Sequence, residues 1–87
     1  MVTVTPSPTL LATQNIIAEV TGYEPNDIQP HFHFDDDLQL DMETDFPLII
    51  KRINRHFTTT FVAKTLMHEI ETVAELVDRI EDETELG

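Results

Sequence analysis

The chain has 87 residues, which is enough for one small domain and too few for two. It carries 17 acidic and 5 basic residues, and the net charge of −12 argues against nucleic acid or an anionic membrane as a partner. Cysteine is absent, which excludes disulfides, thiolate zinc sites and thiol nucleophiles. No apolar run is long enough to span a bilayer, and residues 1–8 lack the basic and apolar stretches of a signal peptide, so we expect a soluble cytoplasmic protein.

The first predicted helix lies between Thr9 and Thr21. Ser7 is suited to cap its start, Pro8 fits the first helical position, and Gly22 favours the left-handed conformation that ends a helix. One face collects apolar or small residues at helical spacing, namely Leu10, Thr13, Ile16, Ile17 and Val20. Because the chain has only two glycines, too few for the turns of a small β domain, we expect a helical fold.

Residues 23–44 sustain no helical period and are rich in turn-forming residues, which predicts a loop of about twenty residues. A loop of this length is uncommon in a compact domain unless it has a function or packs its own side chains on the core. Its predicted anchors are Ile28, Phe32 or Phe34, Leu38 and Leu40.

The second predicted helix has the clearest apolar stripe in the chain, formed by Phe46, Ile49, Ile50, Ile53 and Phe57. Its opposite face carries Lys51, Arg52 and Arg55, which are three of the five basic residues. These side chains either pair with the surplus of acidic residues in the same chain or form a surface that fits an acidic partner.

A short third helix is suggested by Phe61, Val62, Thr65 and Leu66. The fourth helix begins with a capping box between Thr72 and Glu75. Its apolar stripe consists of Val73, Leu76, Val77 and Ile80. The predicted fold is all-α, a small bundle of three to four helices with a long loop between the first two. We expect one domain over residues 1–87, with flexible ends at residues 1–7 and 82–87.

Three segments in this order resemble acyl carrier proteins. Residues 17–28, IAEVTGYEPNDI, are similar to the end of the first carrier helix, residues 34–41, FDDDLQLD, to the segment before the attachment site, and residues 72–80, TVAELVDRI, to the last helix. The resemblance covers roughly residues 10–80. It implies a helical bundle in which a serine at the start of the second helix carries a phosphopantetheine arm that holds acyl groups as thioesters.

The attachment serine of that family is missing here. Alignment from Phe34 places Met42 at the serine position, between Asp41 and Glu43, and Gln39 where the family usually has glycine. Alignment from the second helix moves Glu43 onto the serine position instead. Neither side chain can form the phosphodiester, so we expect no phosphopantetheine and no other cofactor.

Pro47 gives an independent indication of where the second helix begins. In a helix capped by Asp41, as the carrier pattern requires, Pro47 would be the sixth residue and would cost about 3 kcal/mol. With Thr44 or Asp45 as the cap, Pro47 lies in the first turn and costs little. We therefore expect the second helix to start later than in carriers.

Together these features predict a carrier-like module that no longer carries an acyl group and instead binds another protein without catalysis. The predicted docking residues are Met42, Phe46, Lys51, Arg52 and Arg55. The corresponding helix of carriers is usually acidic, so the inverted sign favours a partner with an acidic docking patch.

Two alternatives come from other classes of protein. The first is a working carrier in fatty-acid or polyketide synthesis, modified at an unexpected hydroxyl such as that of Thr44. The second is an acidic decoy that mimics nucleic acid. His31 and His33 precede an acidic run, but no frame gives the ligand spacing of an EF-hand and too few ligands converge for zinc, so we expect neither a metal site nor catalytic residues.

Overall fold

The computed structural model describes residues 7–84, which form a small all-α bundle as predicted. Within this range there are four α-helices, α1 (Pro8–Thr21), α2 (Asp45–Phe57), α3 (Ala63–Leu66) and α4 (Val73–Thr84). A single 3₁₀ turn, Pro25–Asp27, interrupts the long loop between α1 and α2. Helix α1 packs against α2 and α4, and α3 packs against α2.

Helix α1 begins and ends where its capping residues predict. The backbone N–H of Leu10 donates to Ser7 Oγ at 3.1 Å, and Gly22 ends the helix with φ 86°. Ser7 is therefore part of the helix cap, which corrects its assignment to a flexible end; residues 1–6 lie outside the described residues. The buried hydroxyl of Thr13 donates to the carbonyl of Thr9 at 2.7 Å, so its burial leaves no polar atom unpaired.

The core draws on every helix and on the long loop. Its buried apolar side chains are Ile16, Ile17, Ile28, Phe34, Leu38, Leu40, Phe46, Ile49, Ile50, Ile53, Leu66, Ile70, Val73, Leu76, Val77 and Ile80. Three of the four predicted loop anchors, Ile28, Leu38 and Leu40, are in this set. Of the two alternatives for the remaining anchor, Phe34 is buried and Phe32 packs half-buried against the core.

The loop is fixed to the start of α4 by backbone hydrogen bonds. The N–H groups of Val73 and Ala74 donate to the carbonyls of Phe32 at 3.1 Å and Pro30 at 2.8 Å, and the N–H of Phe34 donates to Glu71 O at 3.0 Å. Helix N-termini leave backbone N–H groups without intrahelical partners, and here loop carbonyls accept two of them. The loop thus serves as part of the cap of α4.

Helix α2 begins at Asp45, so Pro47 lies in its first turn and the predicted late start is confirmed. At its other end, Asn54 holds the connection to α3. Its side-chain Nδ2 donates to Phe61 O at 2.8 Å, and its Oδ1 accepts from the Phe61 N–H at 2.9 Å and the Thr59 hydroxyl at 2.8 Å. The predicted short helix is α3.

Helix α4 has the predicted capping box and a longer C-terminal end than predicted. The Glu75 N–H donates to Thr72 Oγ1 at 3.2 Å, and the Thr72 N–H donates back to Glu75 Oε1 at 3.1 Å. The helix continues to Thr84, whose hydroxyl donates to Ile80 O, so residues 82–84 are helical and only 85–87 lie outside the described residues. Residues 82–84 are therefore part of α4, whereas the sequence placed them in a flexible end.

The capping box makes the stability of the domain depend on pH. Hydrogen bonds from the backbone N–H groups of Glu71 and Thr72 hold the pKa of the Glu75 carboxyl below its usual value. Because the pKa is lower in the folded chain than in the unfolded chain, the carboxylate stabilises the fold above the unfolded pKa. This stabilisation is lost as the pH falls through the folded pKa.

We predict that Glu75→Gln lowers the urea midpoint of unfolding at neutral pH, since a neutral amide oxygen is a weaker acceptor than a carboxylate. The difference from the wild type should shrink and vanish as the pH is lowered through the folded pKa. Glu83→Gln on the same helix is the control, because Glu83 makes no side-chain hydrogen bond within residues 7–84. An equal effect of both variants at every pH would contradict the assignment.

Candidate functional site

The residues at the predicted attachment position form a turn before α2, here called the Asp41 turn (residues 41–44). Met42 is half-buried and packs against the core, whereas Glu43 and Thr44 are exposed. Met42 also borders a cavity of about 290 Å³ together with Phe34. The position that would present a modified side chain therefore precedes the helix instead of lying in its first turn.

Backbone hydrogen bonds already occupy the N-terminus of α2. The carbonyl of Asp41 accepts from the N–H groups of Thr44 at 3.2 Å, Asp45 at 2.8 Å and Phe46 at 3.2 Å, and Pro47 has no amide hydrogen. The Asp45 carboxylate in turn accepts from the Asp41 N–H at 3.1 Å. The amides that could bind an anion at a helix start are thus engaged, and the Asp45 carboxylate carries a negative charge at the same place.

Two residues before this turn, Gln39 has φ 55°, in the left-handed region that glycine adopts most readily. Leu38 and Leu40 on either side of it are buried. The backbone reversal at Gln39 lets both neighbours reach the core.

The basic side chains of α2 lie on one exposed face, here called the basic face (Lys51, Arg52 and Arg55). Leu48, which is 40% exposed, precedes them at the spacing of one helical turn. Arg52 Nη1 lies 3.8 Å from Glu19 Oε1 on α1. Within residues 7–84 neither Lys51 nor Arg55 forms an ion pair. Of the three side chains of the basic face, only Arg52 therefore pairs with an acidic residue in this part of the chain.

An open groove runs between α1 and α2 beside this face, here called the α1–α2 groove. Its main cavity of about 670 Å³ is lined by Ile16, Glu19, Leu48, Lys51, Arg52, Arg55 and His56. A second cavity of about 510 Å³ shares Ile16, Glu19 and His56 and extends along α1 to Pro25. The two cavities adjoin at these three residues, so the groove has the nearly buried Ile16 at its base and the basic face along its edge.

The structure separates the predicted docking residues into two groups. The basic face is exposed and lines the α1–α2 groove, but Phe46 is fully buried. The ring of Phe46 packs edge-on against Phe34, with centroids 5.2 Å apart, so it supports the region from inside and cannot itself contact a partner of the folded domain. Met42 borders the separate cavity beside Phe34 and is absent from the lining of the groove.

Sequence reasoning missed the residues that α1 contributes. Ile16 and Glu19 line the groove only because α1 packs against α2, and no local pattern indicates that pairing. Leu48 had a detectable signal, since it shares a helical face with the basic residues.

The two histidines of the long loop have different surroundings. His33 Nδ1 lies 3.5 Å from Asp37 Oδ2 and its Nε2 lies 3.9 Å from Glu71 Oε2, while exposed His31 packs its ring edge-on against Phe32. Across the described range 7–84, no three ligand-type side chains are arranged to hold a metal ion.

No helix within residues 7–84 combines the length and the apolar character needed to cross a bilayer.

The chain matches no protein-family model, and it has no significant match among curated proteins.

The burial of Phe46 predicts a sharp contrast with its exposed neighbour Leu48. Phe46→Ala should lower the free energy of unfolding by about 3–5 kcal/mol, because it opens a cavity in the core. Leu48→Ala should lower it by less than about 1 kcal/mol, since a surface side chain loses little. Urea denaturation followed by circular dichroism measures both. A Phe46→Ala protein as stable as the wild type would show that the side chain does not pack as described.

Proposed function

We propose that this chain is an acyl-carrier-like module that has lost phosphopantetheine attachment and acts as a non-catalytic protein-binding domain. The observation that carries the proposal is the basic face of α2, which is exposed on a chain with a net charge of −12. The charge of this face is opposite to the net charge of the protein. Such a concentration of like charges is expected of a surface that binds an oppositely charged partner.

Two structural features support a carrier-like origin. The all-α bundle has a long loop between its first two major helices, as the resemblance implies. Gln39, at the position where carriers usually have glycine, adopts the left-handed conformation that glycine favours. A backbone requirement at this position explains why the family would place glycine there.

The Asp41 turn supports the loss of attachment. Met42 and Glu43, the two residues that alignment places at the serine position, have no hydroxyl, and both lie before the first residue of α2. The amides of Asp45 and Phe46 are engaged by the Asp41 carbonyl, so a phosphodiester would find no free donor in the first turn. Thr44 is the nearest hydroxyl, and it is exposed.

The same basic face argues against a nucleic-acid decoy. A protein that binds DNA presents basic residues to its ligand, and Lys51 and Arg55 would repel such a surface at close range. A decoy would also gain nothing from the exposed Leu48 beside these charges.

The loss of attachment is tested by incubating the protein with coenzyme A and a phosphopantetheinyl transferase of broad specificity. We expect the intact mass of the wild type to stay unchanged, while an authentic acyl carrier protein in the same reaction gains one arm. We also expect Met42→Ser to remain unmodified, because the first amides of α2 are engaged and Asp45 places a carboxylate there.

A gain of one arm by the wild type would overturn the proposal. In that case Thr44→Ala identifies the site, since removal of the nearest hydroxyl would abolish the gain. Purified native protein that already carries a pantetheine thiol would overturn the proposal equally.

A further inference from the structure

We propose that the α1–α2 groove binds an acidic amphipathic helix of a partner protein, and that Glu19 competes with that helix for Arg52. This inference rests on the proposed protein-binding function and specifies the partner's chemistry. It depends on three properties of the groove, which are its apolar base, its unpaired cations and the position of Glu19.

The base of the groove offers an apolar contact of limited width. Ile16 lies at the bottom with 7% of its surface exposed, and Leu48 stands at the edge with 40% exposed. Ala12 and Ala18 of α1 and Pro25 of the 3₁₀ turn add apolar surface in the adjoining cavity, which the polar side chains of Asn15 and His56 border. One row of apolar side chains, such as a helix presents every three or four residues, fits a contact of this kind.

The charges at the edge define the rest of the partner. Lys51 and Arg55 have no ion-pair partner within residues 7–84, and they stand one helical turn apart. Carboxylates at the same spacing on a helix laid along α2 would meet both cations. An acidic row beside an apolar row is therefore the complementary surface.

Glu19 occupies part of this surface in the free protein. Its carboxylate stands 3.8 Å from Arg52 across the groove, with both side chains about half exposed to solvent at 64% and 46%. An exposed pair at this distance is weak, so a partner carboxylate can replace it. The intramolecular pair therefore lowers the affinity of the groove for acidic ligands.

A second copy of the chain is the competing occupant. The outer side of α4 carries exposed acids at helical spacing, including Glu75, Asp78 and Asp82. That row has no exposed large apolar side chain beside it within residues 73–84, so it would leave Ile16 and Leu48 uncovered. Two copies with a net charge of −12 each also repel one another.

The test uses a labelled synthetic helical peptide of about 14 residues, long enough to run the length of α2 at 1.5 Å per residue. It carries Leu at every third or fourth position and Glu in the adjoining row, and the control peptide has Gln in place of every Glu. Fluorescence anisotropy measures both Kd values. We expect the Glu peptide to bind at least about tenfold more tightly, since it alone engages the basic face.

Protein variants assign the contact to the groove. Arg55→Gln should weaken binding about threefold, and Lys64→Gln, which removes the same charge from α3, should leave it unchanged. Leu48→Ala should weaken binding about tenfold through the lost apolar contact. Glu19→Gln should strengthen binding about threefold, because it frees Arg52. Circular dichroism confirms that each exposed-site variant keeps the wild-type helix content.

Several results would overturn the inference. Equal affinity for the two peptides would refute an acidic partner, and unchanged affinity in Arg55→Gln would refute the groove. Unchanged or weaker binding by Glu19→Gln would refute the competition. Self-association of the protein in sedimentation, removed by Arg55→Gln, would assign the groove to a second copy. If the Glu peptide does not bind and no phosphopantetheine arm can be attached, only the assignment of the partner is refuted. Attachment of an arm overturns the proposed function whether or not the peptide binds.

Discussion

The capping of α4 by the long loop is the constraint on which the rest of the structure depends. Carbonyls of Pro30 and Phe32 accept the first N–H groups of α4, so the loop cannot move without exposing unpaired donors. This connection directs Phe34 into the core, where its ring meets Phe46. The burial of Phe46 then sets the rotation of α2, and the rotation decides which of its side chains face the solvent.

The exposed basic face of α2 follows from that rotation. With Phe46 and its stripe turned inward, the helical period places Lys51, Arg52 and Arg55 outward, next to α1. A buried aromatic contact and an exposed basic face are therefore two consequences of one helix orientation. The prediction of Phe46 as a docking residue is wrong for the same reason: it is near the basic residues in the sequence but on the opposite side of the helix.

The features that the sequence predicted well are those determined within a few residues. The caps at Ser7, Gly22 and Thr72 and the apolar stripe of α2 each depend on local hydrogen bonds or on the helical period. The features it missed depend on contacts between distant segments. Asn54 fixes the chain before α3 through a side chain with no periodic signal. Glu19 reaches Arg52 only because α1 packs against α2, although the long loop separates the two helices in sequence.

The proposed binding of an acidic helix requires that the net repulsion between two acidic partners be overcome. The long-range repulsion and the local attraction to the basic face respond differently to salt. At low ionic strength, about 0.01 M, charges act over roughly 30 Å, a distance comparable to the 42 × 26 × 20 Å extents of the molecule, so a ligand meets the net charge of −12. At about 0.15 M the range falls to roughly 8 Å, and a ligand at the groove meets Lys51 and Arg55 instead. Moderate salt thus removes the long-range repulsion before it removes the local attraction. The affinity of the α1–α2 groove for an acidic helix should therefore pass through a maximum as the salt concentration rises. Fluorescence anisotropy across this range of salt and above it measures that affinity.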